Sequence, residues 1–106
     1  MYVPARFVNQ TELTQSIEAS IRSLNPEEVV HVAYSIGNDW TDDLAIFFRI
    51  VLTDAASRED RLGDVAERVE AAIVDSIRPI EDWGLFPYFK FRSFSEQRGR
   101  SDPEWS

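Results

Sequence analysis

The sequence contains no cysteine and only one histidine, His31. Without thiols the chain has no disulfide framework, no cysteine-ligated metal and no thiol nucleophile. Its four glycines are scattered, so the sequence has no glycine-rich loop of the kind that holds a phosphate. No apolar run approaches the roughly 20 residues that cross a bilayer, and the first residues lack an apolar core of signal-peptide length. We therefore expect a cytoplasmic protein that uses no cofactor and does not enter the membrane.

What the sequence does have is an ordinary hydrophobic fraction and a strong acidic charge. The chain has 106 residues, of which 43% are hydrophobic, and a formal net charge of -8. This composition predicts one domain with one modest core over residues 1–95, followed by a polar, flexible tail over residues 96–106. Residues 1–83 carry seven basic and 16 acidic side chains, whereas residues 84–100 carry four basic and one acidic. The acidic body, residues 1–83, favours basic partners and repels nucleic acid, whereas residues 84–100 carry a net positive charge.

Hydrophobic periodicity predicts two helices and three strands. Apolar residues recur at helical spacing in two segments and at alternate positions in three others. The predicted elements are a helix over Thr11–Leu24, strands over Val29–Ile36 and Leu44–Leu52, a helix from Ser57 to Pro79, and a strand over Leu85–Phe94. Ser57 is a favourable N-cap for the second helix. Residues 1–9 form either a short edge strand or no strand, because Pro4 bars them from a central position.

The order of these elements, α-β-β-α-β, predicts an α+β fold. Two amphipathic helices bury their apolar stripes on one face of a mainly antiparallel three-stranded sheet, which gives a two-layer sandwich. With a leading strand, the order resembles the ferredoxin-like fold. Without it, the order resembles the cytoplasmic domains of cation-efflux transporters. The resemblance is one of element order alone, since the sequence lacks the metal-ligand pattern of those transporter domains.

Strand alternation places aromatic and basic side chains together on the sheet face away from the helices, here called the open face. Its chemically informative members are His31, Phe47, Arg49, Tyr88, Lys90 and Arg92. Rings that stack on bases, beside cations that hold phosphates, are typical of sheets that bind single-stranded nucleic acid. A ribonucleoprotein motif is absent, however. Three alternatives remain for this face: nucleic-acid binding, a protein interface that includes self-association, and a plain solvated surface. A homodimer would form through this face or through a sheet edge.

A second surface follows from the directions of the strands. The loop between the first two strands and the loop before the third lie at the same end of the sheet, and both are acidic and carry tryptophan. This acidic tryptophan end comprises Asp39, Trp40, Asp42, Asp43, Glu81, Asp82 and Trp83. Two alternatives stay open: the tryptophans anchor a basic protein partner, or they cap the core while the carboxylates keep the edge soluble. The aspartate spacing does not fit an EF-hand loop, and we predict no metal site.

The sequence offers little support for enzymatic chemistry. Ser35 lies on the same strand face as His31, but strand geometry separates the two by roughly 13 Å. Loop-tip carboxylates are usually solvated, which leaves them without the separated pKa values that acid–base catalysis needs. We therefore predict no catalytic residues. The leading hypothesis is a small, bacterial-type, non-enzymatic interaction module that binds a basic partner, such as an antitoxin-like or immunity-like protein or an accessory subunit. The alternative is single-stranded nucleic-acid binding on the open face.

Overall fold

A computed structural model of the chain describes residues 10–100 and 102–105. The possible leading strand over residues 1–9 lies outside the described residues. The described elements are α1 (Gln10–Arg22), β1 (Val29–Asn38), β2 (Leu44–Leu52), α2 (Leu62–Ile77), α3 (Pro79–Trp83), β3 (Phe86–Ser93), α4 (Phe94–Gly99) and a 3-10 helix (Pro103–Trp105). None of the described helices has the length and apolarity needed to span a bilayer. The predicted α+β class is confirmed, with helices packed on a three-stranded sheet.

The sheet is mixed, so the predicted mainly antiparallel arrangement is wrong in this respect. Its strand order is β1-β2-β3. β1 and β2 form an antiparallel pair, whereas β2 and β3 are hydrogen-bonded in parallel, with Ala45 opposite Phe86 and Leu52 opposite Ser93. The helical connection through α2 returns the chain to the start of β2, which makes the pair parallel. In a ferredoxin-like sheet the leading strand would lie between the strands that correspond to β2 and β3, whereas here these two strands are direct neighbours.

One face of the sheet and the two longer helices share a single apolar core. Most of the predicted helical stripes and alternating strand positions fill it, whereas Val30 and Leu62, which the same patterns placed there, are exposed. The buried members are Leu13 and Ile17 of α1, Val65, Val69, Ile73 and Ile77 of α2, and Val32, Ile46, Phe48, Ile50 and Leu52 of the sheet. The rings of Phe48 and Phe89 stack within it at a centroid distance of 5.1 Å. Burying an aliphatic or aromatic side chain of this size stabilises the fold by roughly 1.5–3 kcal/mol.

The N-cap pattern predicted that the second helix begins at Ser57, but in the structure it begins at Leu62. Thr53, the residue directly after β2, holds the intervening residues in a turn. Its carbonyl accepts hydrogen bonds from both the backbone N–H and the hydroxyl of Ser57, at 3.0 and 2.9 Å. Its own hydroxyl accepts from the N–H of Ala56 at 3.2 Å, and Ala56 is fully buried. The hydroxyl that was expected to cap the helix therefore closes a turn instead.

The segment before β3 is a short helix, α3, where the sequence predicted a loop. Arg78 adopts a left-handed conformation (φ 53°), which ends α2 and lets Pro79 open α3 at a position that needs no N–H donor. Gly84 ends α3 with φ 66°, a conformation that glycine adopts without steric cost. After α3 the chain enters β3 at Phe86, which pairs with Ala45 at the start of β2. As a result, α3 lies at the same end of the sheet as the β1–β2 hairpin.

The C-terminal segment is folded back onto the sheet, where the sequence predicted a polar, flexible tail. Ser93 and Glu96 form a reciprocal capping box at the start of α4, with both hydrogen bonds 3.1 Å long. Asp54, in the turn after β2, accepts hydrogen bonds from the N–H and hydroxyl of Ser95 at 2.9 and 2.5 Å. The 3-10 helix that follows lies against β1 and β2, and Trp105 in it is buried.

Candidate functional site

The acidic tryptophan end is assembled as the strand directions predicted. The pairing of Asn38 with Leu44 closes the hairpin, and the pairing of Ala45 with Phe86 places α3 at that same end. The hairpin loop therefore contributes Asp39, Trp40, Asp42 and Asp43, and α3 contributes Glu81, Asp82 and Trp83. Within this set, however, the structure gives the residues different roles.

Asp39 organises the hairpin loop and is not a free surface carboxylate. Its Oδ1 accepts hydrogen bonds from the N–H and hydroxyl of Thr41 at 2.9 and 2.7 Å, and from the N–H of Asp43 at 3.1 Å. Its Oδ2 accepts from the Tyr88 hydroxyl at 2.7 Å. These donors, led by the Thr41 and Tyr88 hydroxyls, lower the pKa of Asp39 to about 2. The same bond to Asp39 raises the pKa of Tyr88.

Trp40 is the most exposed large hydrophobic side chain of the described residues, at 80% relative exposure. Its position is nevertheless defined, because its ring contacts that of Tyr88 at 5.1 Å with the planes tilted by 54°. Tyr88 in turn stacks on Phe47 at 5.5 Å and 19°. The loop that presents Trp40 is thus fastened to the sheet twice, by this ring contact and by the Asp39–Tyr88 hydrogen bond.

Trp83 and its neighbours on α3 divide between the core and solvent. Trp83 packs against the core, in line with the capping alternative for this tryptophan. Glu81 and Asp82 are exposed, each with an oxygen 3.8 Å from the Arg78 guanidinium. Ile80 is also exposed, as is Phe86 at the start of β3. The end therefore combines exposed carboxylates with exposed apolar side chains. Among residues 10–100 and 102–105, no group of three or more potential ligands is placed to hold a metal ion.

The open face is confirmed by the strand register. The pairings set Ser35, Phe47 and Tyr88 in one row across the sheet, Ala33, Arg49 and Lys90 in the next, and His31, Val51 and Arg92 in the third. Ala33 and Val51 are nonetheless buried, although they lie on the face away from α1 and α2. Part of the open face is therefore covered.

The cover is the chain's own C-terminal segment, a contact that sequence reasoning missed. Trp105 is only 3% exposed, and the Arg92 guanidinium lies 4.3 Å from the centre of its ring. Arg92 also pairs with Asp102 at 2.6 Å. Arg49 donates through Nε to the Glu104 carbonyl. A tryptophan within a polar tail was the one signal that could have indicated this docking.

His31 and Ser35, which the sequence placed on the same strand face, lie in different rows of the open face. Ser35 accepts a hydrogen bond from Arg49 Nη1 at 3.1 Å, and both His31 and Ser35 are exposed. This pair therefore forms no hydrogen-bonded nucleophile and base within the described residues.

In comparisons with known proteins, the sequence matches no family model, and no curated protein or solved structure is significantly similar to it.

Proposed function

We propose that this protein is a non-enzymatic interaction module that binds a basic protein surface through its acidic tryptophan end. The observation that carries the proposal is Trp40, an indole that is 80% exposed yet braced against Tyr88. Tryptophan is enriched among the residues that dominate binding energies. Because the loop is already ordered by Asp39, a partner meets an anchor that loses little conformational freedom on binding.

Charge supports a basic partner. The chain carries a net charge of -8, and Asp42, Asp43, Glu81 and Asp82 are all exposed at the same end of the sheet as the anchor. A concentrated negative potential speeds encounter with positive surfaces and disfavours acidic ones. An antitoxin-like or immunity-like protein that masks a basic toxin is one concrete version of this proposal. An accessory subunit is another.

Nucleic-acid binding on the open face is the second candidate. The stacked rings of Phe47 and Tyr88 beside Lys90 favour it. Against it, Arg49 and Arg92 are engaged by the C-terminal segment, so a nucleic acid would have to displace that segment to reach them. Loss of binding to single-stranded RNA in the Lys90→Glu variant, with a clear dependence on salt, would favour this candidate.

Self-association is a separate proposal. β3 lies at the edge of the described sheet, and unprotected edges favour pairing between chains. Light scattering tests it directly: a monomer at high concentration would contradict it.

Affinity capture with four variants tests the main proposal. Trp40→Ala and Asp82→Lys alter the acidic tryptophan end. Phe94→Ala and Glu59→Lys make matched changes at exposed positions outside it. We expect wild type and both controls to retain one partner in stoichiometric amount, whereas Trp40→Ala weakens binding by about thirtyfold, the effect of losing a hot spot of about 2 kcal/mol. The proposal fails if no stoichiometric partner is retained, or if all four variants retain it equally.

A further inference from the structure

A pocket of about 260 Å³ lies on the open face between the aromatic row and the C-terminal segment. Its lining includes the aromatic residues Phe47 and Tyr88 and the basic residues Arg49 and Lys90. Glu104 of the 3-10 helix also lines it, as do Ser35 and Phe48. The pocket is therefore bounded by two rings, two cations and a segment of chain that lies across the sheet.

Arg49 and Lys90 differ in how many of their hydrogen-bond donors are free to bind a ligand. Arg49 donates from Nε to the Glu104 carbonyl and from Nη1 to Ser35, which leaves its Nη2 group without a partner among the described residues. Lys90 makes no hydrogen bond or ion pair within those residues, and its side chain is exposed. An ammonium beside a guanidinium attracts an anionic group, and the guanidinium adds directional hydrogen bonds.

The rings supply the second half of the recognition. Phe47 and Tyr88 are stacked on each other with planes 19° apart, so together they form one aromatic wall. Their order is maintained from the far side by Trp40 and by the hydrogen bond from Tyr88 to Asp39. A planar ring that enters the pocket gains offset or edge-to-face contacts with this wall.

We propose that this pocket binds a small planar aromatic anion, namely a single aromatic ring that carries one carboxylate or phosphate group. The volume lies just below the range of roughly 300 Å³ and above that is typical of drug-sized ligands, which favours a one-ring ligand. The docked 3-10 helix bounds the pocket through Glu104. This site adjoins the acidic tryptophan end through Tyr88, and its test does not depend on the identity of a protein partner.

An NMR titration tests the proposal with probes that separate ring from charge. Benzoate and phenyl phosphate carry both features and distinguish a carboxylate source from a phosphate source. Acetate and inorganic phosphate lack the ring, and benzamide lacks the charge. We expect saturable shifts of the Arg49 and Lys90 amides with benzoate or phenyl phosphate, and binding at least about tenfold weaker with the other three probes. The indole signal of Trp83, which packs against the core and does not line the pocket, should not move.

Variants make the result specific to this pocket. Lys90→Gln removes one cation at an exposed position and should weaken binding by about tenfold, whereas Arg98→Gln, a matched change on α4, should not alter it. Phe47→Leu should weaken the ring-bearing probes alone. The proposal is overturned if neither benzoate nor phenyl phosphate gives saturable shifts at millimolar concentration. It is also overturned if acetate and phosphate bind as well as their aromatic counterparts, or if Lys90→Gln leaves the affinity unchanged.

Discussion

The ion pair between Glu28 and Arg68 joins the residue directly before β1 to α2. The two side chains differ sharply in burial. The carboxylate side chain of Glu28 is 8% exposed, whereas that of Arg68 is 58% exposed, and their charged atoms lie 2.6 Å apart. A second arginine, Arg61, approaches the other carboxylate oxygen at 3.5 Å. Because only one partner is buried, removing the arginine and removing the carboxylate should have unequal effects on stability.

The two changes can be compared quantitatively. Arg68→Met leaves a buried carboxylate with only the longer contact to Arg61. Breaking a buried pair in this way costs about 3–5 kcal/mol, and the remaining arginine reduces the expected loss to about 2–3 kcal/mol. Glu28→Gln instead leaves two arginines that reach solvent, and the amide oxygen still accepts a hydrogen bond. Its expected loss is about 1 kcal/mol, the difference between a charge-assisted and a neutral hydrogen bond.

Urea unfolding followed by tryptophan fluorescence measures both changes. Arg58→Met is the matched control, since Arg58 pairs with Asp60 at 3.4 Å while both side chains are well exposed. Such a surface pair should contribute less than about 1 kcal/mol. A loss for Glu28→Gln equal to or greater than that for Arg68→Met would refute the reasoning from asymmetric burial. So would a loss for Arg68→Met no larger than that of the control.

Two further predictions concern α1 and the hairpin loop. The hydroxyl of Ser20 is buried without a hydrogen-bond partner among the described residues, so Ser20→Ala should raise the free energy of unfolding by about 1 kcal/mol, and more than Ser16→Ala on the same helix does. For Asp39, the pKa lies at about 2 in the fold against an ordinary value of 3.8, so ionised Asp39 stabilises the loop above pH 3.8 and this contribution is lost as the pH falls toward 2. Near-ultraviolet circular dichroism of the Trp40–Tyr88 pair should report that loss in wild type and not in Asp39→Asn, and a wild-type signal that stays constant across this range would contradict the prediction.

The parts of the fold that the sequence predicted well are those set by local patterns. Alternation along β2 determines which of its side chains face α1 and α2, since adjacent residues of a strand must point to opposite faces. The same rule places Phe47, Tyr88 and Lys90 on the open face, as the strand pairing confirms. Helical spacing likewise identified Ile17 and Ile73 as core residues.

Two predictions differ from the structure because a local pattern does not decide between alternative partners. One concerns hydrogen bonds between residues near in sequence, and the other concerns pairing between distant strands. Ser57 is a residue type that favours the N-cap position, but its hydroxyl donates to the Thr53 carbonyl, and the Thr53 hydroxyl accepts from Ala56. Because these bonds form a turn, α2 begins several residues later. Strand pairing is the distant case. Periodicity identifies β3 as a strand without showing that it lies directly beside β2 and parallel to it.

The C-terminal segment shows why the charge of a region does not by itself identify its partner. The basic residues of the last strand suggested a surface for nucleic acid, and composition suggested that the acidic residues after them were solvated. In the structure these opposite charges meet, because Asp102 pairs with Arg92 and Trp105 packs beneath the same guanidinium. The positive charge at Arg92 therefore stabilises the docking of the chain's own tail. Lys90 lies outside this contact and beside the aromatic wall, so the chemistry of the open face depends on which of its cations the tail leaves unoccupied.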